Sequence, residues 1–349
     1  MRTFQLVEVN AATPFERGLQ YGRQAKEKIR AGIEDYKLLF AQTSDKNWNQ
    51  IKEYAVSYIQ LIERTMPEIL EEAKGIASGA EVDMAEIMVL NCRYEITKFP
   101  KDDECTTCAV LPEASHENKT YLVKNWDLRA GIIDNIVIVH IEEPDGTRII
   151  GLTEAGQLIR EGFNSHGVGL CNNSLKSIYD SKGLGIPVTF LRRKVLTSRT
   201  IDEAKGLLLN AQRSVSNNML LVSKEGRAVD IEAFPKGADL IHPTDGLITH
   251  ANHFVVNQEL NALDISPRDT RLKSLLLEKH GSITIEYIKE CMCDHKNYPE
   301  AICRHPADVS LPLARRSITV AGIIVDFEQE IMHICAGPPC EGEYIGYKL

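Results

Sequence analysis

The sequence predicts an α+β protein in which antiparallel sheets are covered by helices. Three observations lead there. The first hundred residues carry apolar side chains at helical spacing, while the remainder is dominated by short apolar runs joined by hairpin signals. Neither a GxGxxG nor a GxxxxGK[ST] phosphate cradle occurs in the 349 residues, so no nucleotide fold competes. At 43% apolar and 26% charged residues, the chain can bury a substantial core. Its 40 basic and 49 acidic side chains give a net charge of −9, which argues against nucleic acid, whose binders usually carry a basic stripe.

The elements follow in order. In residues 1–14, Glu8 and Asn10 interrupt any apolar targeting core, and no window approaches 18 uninterrupted apolar residues. Nine scattered cysteines, an odd number, read as reduced thiols, and a cytoplasmic location is expected. Residues 14–42 hold Phe15, Leu19, Ile29, Ile33 and Tyr36 at helical spacing. Pro67 sits at a helix's first turn, and Gly79 marks its expected end. Asp83 and Glu86 form a capping box for a helix running through Ile87, Leu90 and Tyr94. A polar, proline-marked loop over 99–104 closes the helical part. Strands are expected over 135–141, 147–152 and 168–171, and hairpins over 218–234 and 318–336. Helices intervene at 187–198, at 200–209 behind a Thr200/Glu203 capping box, and around 268–280.

Cys105, in Cys105-Thr106-Thr107-Cys108, enters an apolar run from that polar loop, where substrate can reach a thiol. As a redox pair, Cys105-x-x-Cys108 lacks the thioredoxin-like βαβ context. As zinc ligands, Cys291-x-Cys293 and Cys335-x4-Cys340 match no paired-cysteine module, so no metal and no cofactor is expected. The bland reading of Cys105 alone is a buried, inert thiol.

Downstream stand Asn125-Trp126-Asp127, Gly162-Phe-Asn164-Ser165-His-Gly167, His250-Ala-Asn252-His253-Phe254, Arg304-His305-Pro306 and Gly337-Pro-Pro-Cys340. In this order and spacing they resemble the acyl-CoA:6-aminopenicillanic acid acyltransferase family, the C45 peptidase group of N-terminal-nucleophile hydrolases, over nearly the whole chain.

The resemblance implies an αββα sandwich made as one precursor. It implies autocatalytic scission at Glu104–Cys105, which releases the helical segment 1–104 and leaves a 245-residue catalytic piece, 105–349, within one structural domain. The penicillin enzymes have Gly where this chain has Glu104. Gly eases a strained scissile bond, so Glu104 bears on the rate and completeness of cleavage. Once freed, Cys105 is nucleophile and base together, since an α-amine has a pKa of about 7.7–8. The resemblance assigns Asn252 to the oxyanion hole, and Asp127 and Arg304 to orienting the new amine. On bare sequence, Asn252 reads equally as a turn residue and the charged pair as a surface ion pair. His250, His253 and His305 read as structural histidines, and Asn125 and Trp126 as support for their strand.

The expected function is a cysteine N-terminal-nucleophile amidohydrolase or acyltransferase. Its partner is a small acyl amide or acyl-CoA, with neither nucleic acid nor membrane, and a homo-oligomer is compatible with the sequence. The alternative is an uncleaved, non-enzymatic small-molecule-binding protein on the same fold.

Overall fold

The computed structural model describes residues 2–96, 104–181, 183–312 and 315–349. Of the polar loop expected over 99–104, residues 99–103 lie outside the described residues. The strands are, in chain order, β1 (Gln5–Val9), β2 (Glu104–Val110), β3 (Tyr121–Arg129), β4 (Ile136–Glu142), β5 (Arg148–Glu154), β6 (Glu161–Asn164) and β7 (Val168–Ser174). They continue as β8 (Asn217–Ser223), β9 (Arg227–Phe234), β10 (Gly237–Ile241), β11 (Leu247–His250), β12 (Ser317–Asp326), β13 (Ile331–Ala336) and β14 (Tyr344–Lys348). An eight-stranded sheet has the order β1-β4-β5-β6-β7-β8-β9-β10, and a six-stranded sheet the order β11-β2-β3-β12-β13-β14.

Three apolar cores show how these sheets stack. Leu122, Trp126, Ile138, Leu152, Leu220 and Ile323 fill the space between the two sheets. Ile29, Ile33, Ile76 and Leu90 of the amino-terminal helices pack with Val139, Leu170 and Leu221 on the outer face of the larger sheet. Val110, Val123 and Ile324 pack with Leu272, Leu276 and Ile288 on the outer face of the smaller one. Period-two alternation does this: Leu122 and Trp126 face inward on β3, while Tyr121 and Val123 face the helices. The result is the αββα sandwich.

Both expected hairpins form, with Asn217 opposite Ala233 and Ala321 opposite Ala336. The sheets are not wholly antiparallel, however. The first hundred residues are not all helical either, because Gln5–Val9 pairs parallel to Val137–Ile141 of β4. The five-residue strand is too short for its alternation to be read from sequence, and only the edge of the sheet supplies its partner.

Two helix boundaries also differ. The stretch 14–42 is two helices, Pro14–Gln24 and Lys26–Thr43, joined at Ala25. Gly79 does not end its helix, which runs Pro67–Ala80 and stops at left-handed Glu81 (φ 55°). That glycine serves packing instead: a Cβ there would lie 2.4 Å from the Leu19 carbonyl oxygen, and one on Gly75 would lie 2.0 Å from that of Phe15. The two helices therefore touch backbone to backbone. The Asp83/Glu86 capping box forms as expected, but its helix ends at Asn91 and a separate turn, Arg93–Ile96, carries Tyr94. At the 200–209 helix, Thr200 accepts from the Glu203 amide, whereas Glu203 returns its bond to the Arg199 amide at 2.8 Å.

Candidate active site

β2 lies inside the six-stranded sheet, with β11 on one side and β3 on the other. Cys105 is its second residue, opposite Trp126, and is 1% exposed. Its side chain joins the inter-sheet core, whereas Cys108 faces the helix layer. Three residues apart on a strand, the two thiols point to opposite faces, so they cannot act as a redox pair.

Register brings Glu104 opposite Asp127, and these two carboxylates share the other face of the sheet. Buried like charges side by side require cations. Arg268 Nη1 lies 2.7 Å from a Glu104 oxygen and 3.2 Å from Asp127 Oδ2, and Arg304 pairs with the same Glu104 oxygen. A register shift in β12 between Thr319 and Ala321 completes the clamp. Bulges of this kind re-aim side chains. Here Thr319 donates its hydroxyl to Asp127 Oδ1 at 2.6 Å and accepts from the Arg304 amide at 2.8 Å. The Thr319 amide bonds back to the Arg304 carbonyl at 3.0 Å, which fastens the Arg304 loop to the strand.

Asn252 follows β11 and reaches the backbone of Cys105 itself. Its Oδ1 accepts from the Cys105 backbone amide at 2.7 Å and from Arg268 Nη2 at 2.8 Å. Its Nδ2 donates to the Ser174 carbonyl at 2.8 Å, which commits one of the amide's two hydrogens. All four sequence-predicted residues, Cys105, Asp127, Asn252 and Arg304, thus meet around the Glu104–Cys105 peptide. A cleft of about 240 Å³ opens beside it, lined by Glu104, Arg304, His305, Arg316 and Ser317 among others.

Arg268 was not singled out by sequence. It heads the helix Arg268–Leu277, where it reads as an ordinary surface charge, although it is 1% exposed. The one available signal was its position, since a cation at a helix amino terminus opposes the dipole.

Burial pushes the Asp127 carboxyl up to about 6, even though Arg268, Arg304 and the Thr319 hydroxyl pull it down. Asp127 is therefore ionised above about pH 6. Its carboxyl carbon should titrate near that pH by NMR, and Arg268→Gln should raise the midpoint by ~1–3 units. An unmoved midpoint in the folded variant would reduce Arg268 to packing.

The histidines have other partners. His250 is buried, with Nε2 2.8 Å from Glu232 and Nδ1 2.8 Å from the Ala251 carbonyl. Burial disfavours its charge, but Asp230 and Glu232 prevail and hold it at about 9. An imidazolium with both N–H groups engaged cannot accept a proton. His253 lies against the Ser266 amide and 3.8 Å from Asp269, and burial lowers its pKa. Asn125 donates to the Met292 and Ile302 carbonyls, tying down the segment that leads to Arg304. Trp126 is fully buried beneath the Arg160 guanidinium. On the inter-sheet face, Lys124 Nζ pairs with Glu161 and donates to the Asn172 carbonyl at 2.7 Å. Burial works against its charge, but its interactions with Cys105 and Glu161 hold its pKa up.

The family described as acyl-coenzyme A:6-aminopenicillanic acid acyl-transferase matches residues 114–340. The chain belongs to this family. Among curated relatives of the acyl-transferase family member is the acyl-coenzyme A:6-aminopenicillanic-acid-acyltransferase 40 kDa form of Emericella nidulans. It is 30% identical over 301 residues, which span 84% of this chain and 82% of the relative. Similar solved structures include a conjugated bile acid hydrolase from Clostridium perfringens. That match has a TM-score of 0.48 and 14% identity, over 70% of this chain and 97% of the other. A Caenorhabditis elegans N-acylethanolamine-hydrolyzing acid amidase ortholog matches with a TM-score of 0.47 and 16% identity, over 64% and 93%. Among the described residues, no helix is long and apolar enough to cross a membrane.

Proposed function

We propose that this acyl-transferase family member breaks its own Glu104–Cys105 bond and then transfers or hydrolyses the acyl group of a small amide or acyl thioester. In maturation, Cys105 Sγ attacks the Glu104 carbonyl carbon. The peptide C–N bond breaks, the nitrogen gains a proton, and water hydrolyses the resulting thioester to a Glu104 carboxylate. The freed α-amine then takes the Cys105 thiol proton, and the thiolate attacks the substrate carbonyl. Water or an amine finally accepts the acyl group from sulfur. The name of the Emericella relative pairs acyl-coenzyme A with an amine acceptor, which supports a thioester donor.

One observation carries this reading. Asn252, Arg268, Arg304 and Asp127 converge on the peptide preceding Cys105, and Asn252 accepts that peptide's own N–H at 2.7 Å. Once cleavage lets Glu104 withdraw, the two arginines can take an anionic substrate group. The rival reading, an uncleaved binding protein, draws on the same arginines: as long as they hold Glu104, they hold the precursor closed.

Intact mass after prolonged incubation separates the two. The expected result is that the 39.1 kDa chain resolves into pieces ending at Glu104 and beginning at Cys105. A single uncut chain throughout an incubation series would leave the binding protein as the better reading.

A further inference from the structure

Beside Arg304 in the chain, two loops converge. The single connection between the helix Ile285–Cys291 and β12 brings His295, Cys303 and His305, and the turn after β13 brings Cys340. One ligand atom from each of the four lies within 4.8 Å of all the others. Cys303 Sγ is 3.6 Å from Cys340 Sγ, and His305 Nε2 is 3.1 Å from Cys340 Sγ and 3.9 Å from Cys303 Sγ. Tetrahedral zinc, with bonds of about 2.3 Å to sulfur and about 2.0–2.1 Å to nitrogen, sets its ligand atoms roughly 3.4–3.8 Å apart. The separations in the group therefore need to shrink by no more than about 1.4 Å.

We propose that His295, Cys303, His305 and Cys340 form a closed, four-ligand zinc site. Two thiolates and two imidazoles are a set that zinc favours over magnesium or calcium, which take oxygen. Binding deprotonates both thiols and releases two protons to solvent, while the imidazoles bind in their neutral form. The ring of His305 is already oriented for this. Its Nε2 faces the sulfurs and its Nδ1 lies 3.5 Å from Glu341, the outer carboxylate that metal-bound histidines usually have. The Cys303 amide is itself fixed to the Asp294 carbonyl at 3.0 Å.

Arg304 stands between two of these ligands. Zinc bound to Cys303 and His305 would clamp both chain neighbours of Arg304, so the site acts as a staple that positions the arginine. Cys340 is exposed and His305 partly so, which gives the ion a way in. The buried Cys303 thiol and the exposed Cys340 thiol, 3.6 Å apart, could instead be oxidised to a disulfide. The two imidazoles aimed at the same space have no role in that outcome.

The site can be tested whether or not Glu104–Cys105 breaks, because the readout is metal content. The full chain, expressed with zinc and dialysed, should hold about one zinc per chain by elemental mass spectrometry, and Cys303→Ser and Cys340→Ser should lose it. Glu341→Gln should weaken zinc binding ~10-fold or more. If the serine variants fail to fold, cobalt titrated into the metal-free natural chain decides. Tetrahedral d–d bands with thiolate charge-transfer absorption support the site. Octahedral or absent cobalt spectra would overturn it, as would a Cys303–Cys340 disulfide seen as the loss of two hydrogens in freshly purified protein. Hydrogen exchange of 293–306 should quicken on zinc removal while β4–β8 stay protected; unchanged exchange would overturn the staple.

Discussion

Cys105→Ala should leave the protein as one 39.1 kDa chain with turnover reduced by ~10⁶-fold, the scale on which removing a nucleophile is felt. The variant has no sulfur to attack the Glu104 carbonyl and none to carry an acyl group, so cleavage and turnover fail together. The substitution is small and the site is tightly packed, so folding should survive. Cys105→Ser keeps an attacking oxygen, but a hydroxyl is a far weaker nucleophile than a thiolate at neutral pH, and cleavage should be slow or absent. A separately expressed 105–349 piece tests the base. Adding one residue before Cys105 turns the α-amine into an amide and should abolish activity. If the extended piece, verified untrimmed by mass, works as well as the one starting at Cys105, the free amine is unnecessary. His250 could not replace it, because Glu232 and the Ala251 carbonyl hold both of its nitrogens.

Asn252→Ala should lower turnover by ~10²–10³-fold with KM nearly unchanged, as loss of one oxyanion donor does. The geometry allows a sharper division of its two ends. Oδ1 accepts from the Cys105 amide and from Arg268, while Nδ2 has one hydrogen on the Ser174 carbonyl and one to spare. Asn252→Asp keeps an acceptor and removes the donor. Turnover as poor as in the alanine variant would place the contribution at Nδ2. Cleavage kept by the aspartate and lost by the alanine would place it at Oδ1, as a holder of the scissile amide. Wild-type turnover in folded Asn252→Ala would remove the residue from the reaction.

Much of this was written in local chemistry. The hairpins over 218–234 and 318–336 form because their alternation and turn residues act over a few positions, and the Asp83/Glu86 cap forms because it spans a single turn. Asp127, Asn252 and Arg304 were reached another way, through the resemblance carried by their short motifs, since on bare sequence they read as turn and ion-pair residues.

Pairings across long stretches of chain were not legible. Gly79 looked like a helix stop because its partner, the Leu19 carbonyl, is 60 positions away. Arg268 drew no notice in the sequence, because its need appears only when β2 and β3 set Glu104 beside Asp127. Cys340 was weighed as a ligand only with Cys335, because Cys303 and the two histidines beside it in space come from another loop, 35 or more positions away. Sequence by itself determined which groups this protein owns and the local turns that present them. The tertiary structure decided which groups meet, because burial and sheet register set the distances over which charges and ligands act.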